Sequence, residues 1–199
     1  MRTEQPVPIR LEDYRPPDWL VETVDLDVSL DPTATRVRAT LRLKPNPKAT
    51  APAPLVLDGD GLTLGSLTLD GEALAPDRFV AGPDRLTIAQ PPHRPLTLTI
   101  ETTVNPTANT QLMGLYRSGA TYCTQCEADG FRRITYYPDR PDVMAVFTTR
   151  IEADKADCPV LLANGNRDGA DVNHRGPPVR HTGSKRVHSR TCRRGKEHG

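Results

Sequence analysis

Between residues 24 and 104 the sequence alternates apolar and polar side chains in short runs, and nearly every run is closed by residues that make turns. Val24, Leu26, Val28 and Leu30 alternate with Asp25, Asp27 and Ser29. After Asp31, Pro32, Thr33 and Ala34 the alternation resumes, with Val37, Ala39, Leu41 and Leu43 set against Arg36, Arg38, Thr40 and Arg42. A period of two puts each class of side chain on its own face of a strand. The two runs therefore predict a hairpin with one apolar face and one face charged enough to require solvent or a partner domain.

The same grammar continues along the chain. Residues 45–54 contain Pro45, Pro47, Pro52 and Pro54 and have no ladder potential. Short apolar runs follow at 55–57, 62–69, 78–80 and 86–89, separated by Asp58-Gly59-Asp60-Gly61, Asp70-Gly71 and Gly82-Pro83-Asp84. Leu96, Leu98 and Ile100 open a further strand that runs towards Val104 and stops at Asn105-Pro106. Residues 146–153 and 159–163 read as two more. About eight to ten strands, short spacing and no helical period predict an all-β chain, an antiparallel β-sandwich or barrel.

A length of 199 residues suits one domain with extensions. The hydrophobic share of 36% and the 20 prolines fit many turns and edges. The net charge of +1 conceals a division: residues 1–167 carry 18 Lys+Arg against 22 Asp+Glu, and residues 168–199 carry 8 against 3. That basic tail holds four of the five histidines and no sustained apolar period, so it is expected to be disordered. Charged residues and prolines at the start leave no room for the apolar core of a signal peptide, and no stretch approaches the roughly 18 apolar residues of a membrane span. The expectation is a cytoplasmic protein without membrane contact, its cysteines reduced.

Chemistry-bearing residues concentrate in one block, residues 123–137, CTQCEADGFRRITYY. With Leu115-Tyr116-Arg117-Ser118-Gly119 before it and Asp139-Arg140-Pro141-Asp142-Val143 after it, this block resembles the N-terminal domain of the bacterial aminopeptidase N family. The lead-in Tyr14-Arg15-Pro16-Pro17-Asp18 and the late Leu162-Ala163-Asn164-Gly165-Asn166 extend the resemblance over residues 14–167. Three parts are thus expected: an irregular lead-in at 1–13, the sandwich domain at 14–167, and the disordered basic tail at 168–199. The abrupt change of composition after Arg167 suggests a truncated or frameshifted product.

The resemblance implies a saddle-like N-terminal β-sandwich that caps a thermolysin-like catalytic domain in a zinc aminopeptidase of the gluzincin type. In that family the glutamate matching Glu127 binds the free α-ammonium of the peptide substrate, assisted by the glutamine matching Gln125. Zinc, held by an H-E-x-x-H motif and a distal Glu, belongs to the next domain. No His in this chain is followed by Glu, and no Gly-Ala-Met-Glu-Asn exopeptidase segment occurs. The expected partners are peptide N-termini and the absent catalytic domain. No catalytic residue, metal ligand or cofactor is assigned to this chain, and it is expected to be inactive alone.

Without the family, Glu127 reads as one of 25 acidic residues, on a solvated loop; the resemblance turns that reading into an ammonium site, and the chemistry is consistent with it. A carboxylate can discriminate a charged chain end, and an amide oxygen can accept an ammonium proton. On an extended segment Gln125 and Glu127 would share a side and Cys126 would face away, with Gly130 turning the chain. Cys123-x-x-Cys126 has no second C-x-x-C partner, so structural thiols are the default over a zinc or redox pair. His174, His181 and His188 recur every seven residues in a biased tail and have no folded context. Lys185-Arg186 and Arg193-Arg194 would give only nonspecific, salt-sensitive nucleic-acid contacts. Arg132, Arg133 and Arg140 are expected in ion pairs or interdomain contacts, and Tyr136 and Tyr137 in the core. The alternative function is a noncatalytic β-sandwich interaction module.

Overall fold

The computed structural model describes Glu12, residues 14–49 and 52–164, and the backbone of 166–170 and 179–184. The predicted hairpin is β1 (Trp19–Ser29) and β2 (Thr35–Pro45), paired antiparallel with Leu26 opposite Ala39 and Val24 opposite Leu41. Its turn is organised by Asp31, whose Oδ1 accepts hydrogen bonds from the backbone N–H groups of Thr33 and Ala34, both at 2.8 Å. In β1 the buried positions change parity from Trp19 and Val21 to Val24 and Leu26. A bulge between Val21 and Thr23 absorbs the extra residue and keeps both sets on the core face.

The chain continues through β3 (Leu55–Asp58), β4 (Thr63–Leu69), β5 (Glu72–Ala73), β6 (Phe79–Gly82), β7 (Arg85–Ile88) and β8 (Leu96–Val104). A second hairpin, β9 (Gly114–Ser118) with β10 (Thr121–Gln125), precedes β11 (Val146–Glu152), β12 (Asn166–Ala170) and β13 (Val179–Ser184). The large sheet has the order β12-β13-β11-β1-β2-β8-β4-β5, and β3-β7-β6 form a second sheet. Rows of side chains in register, such as Leu41 beside Leu98 and Leu57 beside Leu86, bring both sheets into one buried apolar cluster. On the outer face of the large sheet Arg36, Arg38 and Arg42 are exposed, as the alternation requires. No helix among the described residues is long and apolar enough to cross a membrane.

Three features depart from the sequence reading. β11 pairs with β1 in parallel, because more than a hundred residues separate the two strands and no tight turn dictates their direction. The run 159–163 forms no strand beyond a single bridge at Val160; Pro159 lacks a donor, and Val160 and Leu162 are 48% and 49% exposed. The tail expected to be disordered carries backbone pairing at β12 and β13, with β13 antiparallel to β11. Ladder hydrogen bonds need only a neighbouring edge and no apolar period. Residues 171–178 and 185–199 lie outside the described residues.

The block 131–137 is held between the sheets. Asp58 and Tyr137 exchange both backbone hydrogen bonds, at 2.9 and 3.0 Å. Tyr136 is 1% exposed and donates its hydroxyl to the Gly82 carbonyl at 2.7 Å. Thr102 Oγ1 donates to the Ile134 carbonyl at 3.0 Å. Gly59 lies against the Tyr136 ring so closely that a Cβ would sit 2.7 Å from Cε1 and 3.0 Å from the Pro83 carbonyl oxygen. Neither neighbour can move freely, since the ring is buried and tied and the carbonyl is backbone.

Gly59→Ala is expected to destabilise the fold by about 3 kcal/mol through overpacking. Gly61→Ala is the control: Gly61 has φ +67 with nothing within 4 Å of an added Cβ, so its cost is the left-handed backbone strain of about 1 kcal/mol. Urea denaturation midpoints of the two variants measure the difference.

Candidate functional site

The block that concentrates the chemistry starts as strand β10, with Cys123 opposite Tyr116 and Gln125 opposite Gly114. The ladder ends at Gln125, and residues 127–129 turn. Gly130 then folds back beneath the strand end. A Cβ at Gly130 would meet the Cys126 Cα and the Gln125 carbonyl oxygen at 3.0 Å each, so the turn closes this tightly only on glycine. A short 3-10 helix, Phe131–Arg133, leads into the buried Ile134, Thr135, Tyr136 and Tyr137.

This geometry corrects the expectation of an extended 125–127 segment. The period-two argument holds only while the strand continues, and it stops at Gln125. Glu127 is exposed on the turn and lines a cleft of about 70 Å3. Cys126, expected to face away, is buried and lines the same cleft. Gln125 is half-buried at the strand end and is not among the lining residues.

The opposite wall of the cleft comes from residues 139–147, chiefly Asp139, Arg140, Val143 and Met144. Between the walls lies an aromatic cluster. Phe131 meets Tyr137 and Phe147 edge to face, with ring centroids 4.9 and 5.6 Å apart.

Arginines connect these parts. Arg132 Nε donates to Asp139 Oδ2 at 2.9 Å, its backbone N–H donates to the same oxygen at 3.1 Å, and Nη2 donates to the Asp139 carbonyl at 2.9 Å. Nη2 also pairs with Asp129 Oδ2 at 2.9 Å. Burial opposes the charge of Arg132, but the hydrogen bond and charge of Asp139, with the charges of Asp129 and Asp58, outweigh it and raise its pKa. Arg133 pairs with Asp60 at 2.6 Å.

On the far wall Arg140 pairs with Asp142 at 2.7 Å and donates to the Arg15 carbonyl at 2.7 Å. Tyr14 donates its hydroxyl to Asp142 at 3.0 Å. Burial alone would raise the Asp142 carboxyl; the hydrogen bonds from Arg140 and Tyr14 win and hold it below the usual carboxylate range. The expected ion pairs of the three arginines are therefore internal to this domain. Sequence reasoning assigned none of their partners, which are Asp60, Asp129, Asp139 and Asp142. Only the Asp139-Arg140-Pro141-Asp142 string could have signalled a wall, and it entered as part of a resemblance.

The thiols have limited chemistry. Cys123 and Cys126 carry free thiols. Burial, aided by the Asp139 charge, pushes the Cys126 thiol up to about 12, which suppresses the thiolate needed for metal binding or redox exchange. Among the described residues no group of three or more His, Cys, Asp or Glu could hold a metal ion, so those residues do not fit a zinc site. His174, His188 and Cys192, and the His181 side chain, lie outside the described residues.

Comparison with known proteins gives a consistent picture. The family model of the peptidase M1 N-terminal domain matches residues 22–181, which carries the likeness past Arg167. Aminopeptidase N of Caulobacter vibrioides is 48% identical over 166 residues, covering 83% of this chain and 19% of that protein. Aminopeptidase N of Escherichia coli is 46% identical over 165 residues, covering 83% and 18%. The chain thus spans about a fifth of the length of these curated relatives. Among solved structures, Legionella pneumophila aminopeptidase A in complex with aspartic acid superposes with a TM-score of 0.84 at 31% identity, covering 92% of this chain and 22% of that one. An M1 zinc metallopeptidase from Deinococcus radiodurans bound to a Tyr-Ser-Ala substrate shares the fold, with a TM-score of 0.68 at 19% identity over 83% of this chain and 39% of that one.

Burial at Cys126 makes two measurable differences. Iodoacetamide at pH 8 is expected to label Cys123 well before Cys126 in the native protein, and equal rates by mass spectrometry would contradict the buried placement. Between pH 9 and about 12 the folded state keeps a proton on Cys126 that the unfolded chain has released. Through this group stability falls as pH rises across that window, and Cys126→Ala should flatten that part of the urea-midpoint profile.

Proposed function

The chain belongs to the peptidase M1 N-terminal domain family, and we propose that it is the portion of a zinc aminopeptidase that recognises the free amino end of a peptide. Glu127 is the carboxylate that pairs with the α-ammonium, and Gln125 offers its amide oxygen to the same group from the end of β10. The observation that carries the proposal is the position of Glu127, exposed on a glycine-closed turn at the mouth of a cleft. Among the residues that line the cleft the carboxylates of Glu127 and Asp139 outnumber the one guanidinium, that of Arg140. The local field therefore favours a cationic ligand.

The chemistry of the chain end explains why a carboxylate is needed. An aminopeptidase must separate a terminal residue from an internal one, and the ammonium is the feature that differs. A carboxylate–ammonium pair 4 Å apart is worth about 4 kcal/mol at an effective dielectric near 20, enough to select the end. Zinc in the M1 relatives would supply the activated water, and since the described residues do not fit the metal, hydrolysis is assigned to the remainder of such a protein.

Calorimetric or NMR titration with leucine amide and N-acetyl-leucine amide tests the reading. The wild-type chain is expected to bind the free amine weakly and in preference to the blocked one, and Glu127→Gln to lose the preference. Equal binding of both ligands would contradict the proposal and fit a sandwich module that has kept only the fold.

A further inference from the structure

Glu127 stands on a turn of residues 127–129 that has left the β10 ladder, so something other than strand pairing must fix where its carboxylate lies. Arg132 is placed to do so. Its side chain reaches back to Asp129, two residues beyond Glu127 on the same turn, at 2.9 Å. It also grips Asp139, on the opposite wall, through both the carboxylate and the main-chain carbonyl.

The grip is anchored on the sandwich itself. The Arg132 carbonyl accepts the Asp60 N–H at 3.0 Å, and the Asp139 N–H donates to Asp58 Oδ2 at 3.3 Å. The two ends of the clasp differ in burial: the side chain of Asp139 is 10% exposed and that of Asp129 is 58% exposed. The Asp139 end is rooted and the Asp129 end is the adjustable one.

We infer that Arg132 is the positioning residue of the cleft, a clasp that joins the Glu127-bearing turn to the 139–147 wall and so sets where the amine-binding carboxylate stands. The inference rests on the amine-recognition reading for its functional consequence, but the clasp itself can be tested without ligand. A guanidinium serves because its planar fork bonds two acceptors in fixed directions, whereas an ammonium on a flexible stem cannot hold both.

Two variants of the full 199-residue chain separate positioning from folding. Asp129→Asn releases only the exposed end, and Arg132→Lys keeps the charge while losing the fork. Asp129→Asn should leave the urea midpoint unchanged, since an exposed pair adds little to global stability, yet raise amide hydrogen exchange at 127–129 by about threefold. Arg132→Lys should raise the same exchange and weaken leucine amide binding by about tenfold without changing the cleft's net charge. Exchange at 127–129 equal to wild type in Asp129→Asn would overturn the clasp, even if Arg132→Lys fails to fold. If the wild-type chain does not distinguish leucine amide from its N-acetyl form, the amine reading fails, while the exchange measurement still decides the role of Arg132.

Discussion

The two backbone hydrogen bonds between Asp58 and Tyr137 are the constraint on which the site depends. They join a segment with no strand pattern of its own to the edge of β3, and Tyr136 beside them is driven into the core with its hydroxyl satisfied on Gly82. A buried phenol without a partner would be costly, so that bond fixes the depth at which the segment sits. From this seat the 3-10 helix before it and the wall after it take their places. The cleft is therefore a consequence of how a loop is docked on the sandwich, and its walls meet only because 131–137 is held between the sheets.

Above that seat the interactions change from apolar to ionic in a graded way. Phe131, Tyr137 and Phe147 make a dry base by edge-to-face packing. Arg132 and Asp139 lie at the boundary, partly buried and linked by several hydrogen bonds, where pairing has to outweigh desolvation. Asp129 and Glu127 stand in solvent. Such a gradient suits a site that must attract a cation yet leave the attracting carboxylate accessible. It also accounts for the inert thiol of Cys126, which lies on the dry side close to the Asp139 charge.

Much of the sandwich was legible in the sequence. Alternation at 24–30 and 37–43 specified which faces of β1 and β2 are buried, because burial of a half-covered strand repeats every two residues whatever its neighbours are. Glu127 was singled out by its block, and the structure sets it at a cleft. The placement of Cys126 was misread, since the period of two was extended one step past the end of the strand. Nothing local in Cys126, Glu127 and Ala128 announces that end. It is imposed from outside, by the return of Gly130 against Gln125. The strand expected at 159–163 failed for the converse reason: the apolar residues are there, but a strand also needs a neighbour to pair with.

The sequence by itself determined the class of fold, the faces of the long strands, the turn at Asp31 and the block in which chemistry would be found, because each follows from the stereochemistry of adjacent residues. Tertiary structure alone decided that β11 runs parallel to β1, that Arg133 meets Asp60, and that Tyr14 closes over Asp142 from 128 positions away. These are relations between segments brought together by burial of a shared core. Local pattern carries no record of which distant carboxylate an arginine will meet, since any exposed acid satisfies the same electrostatics until packing selects one.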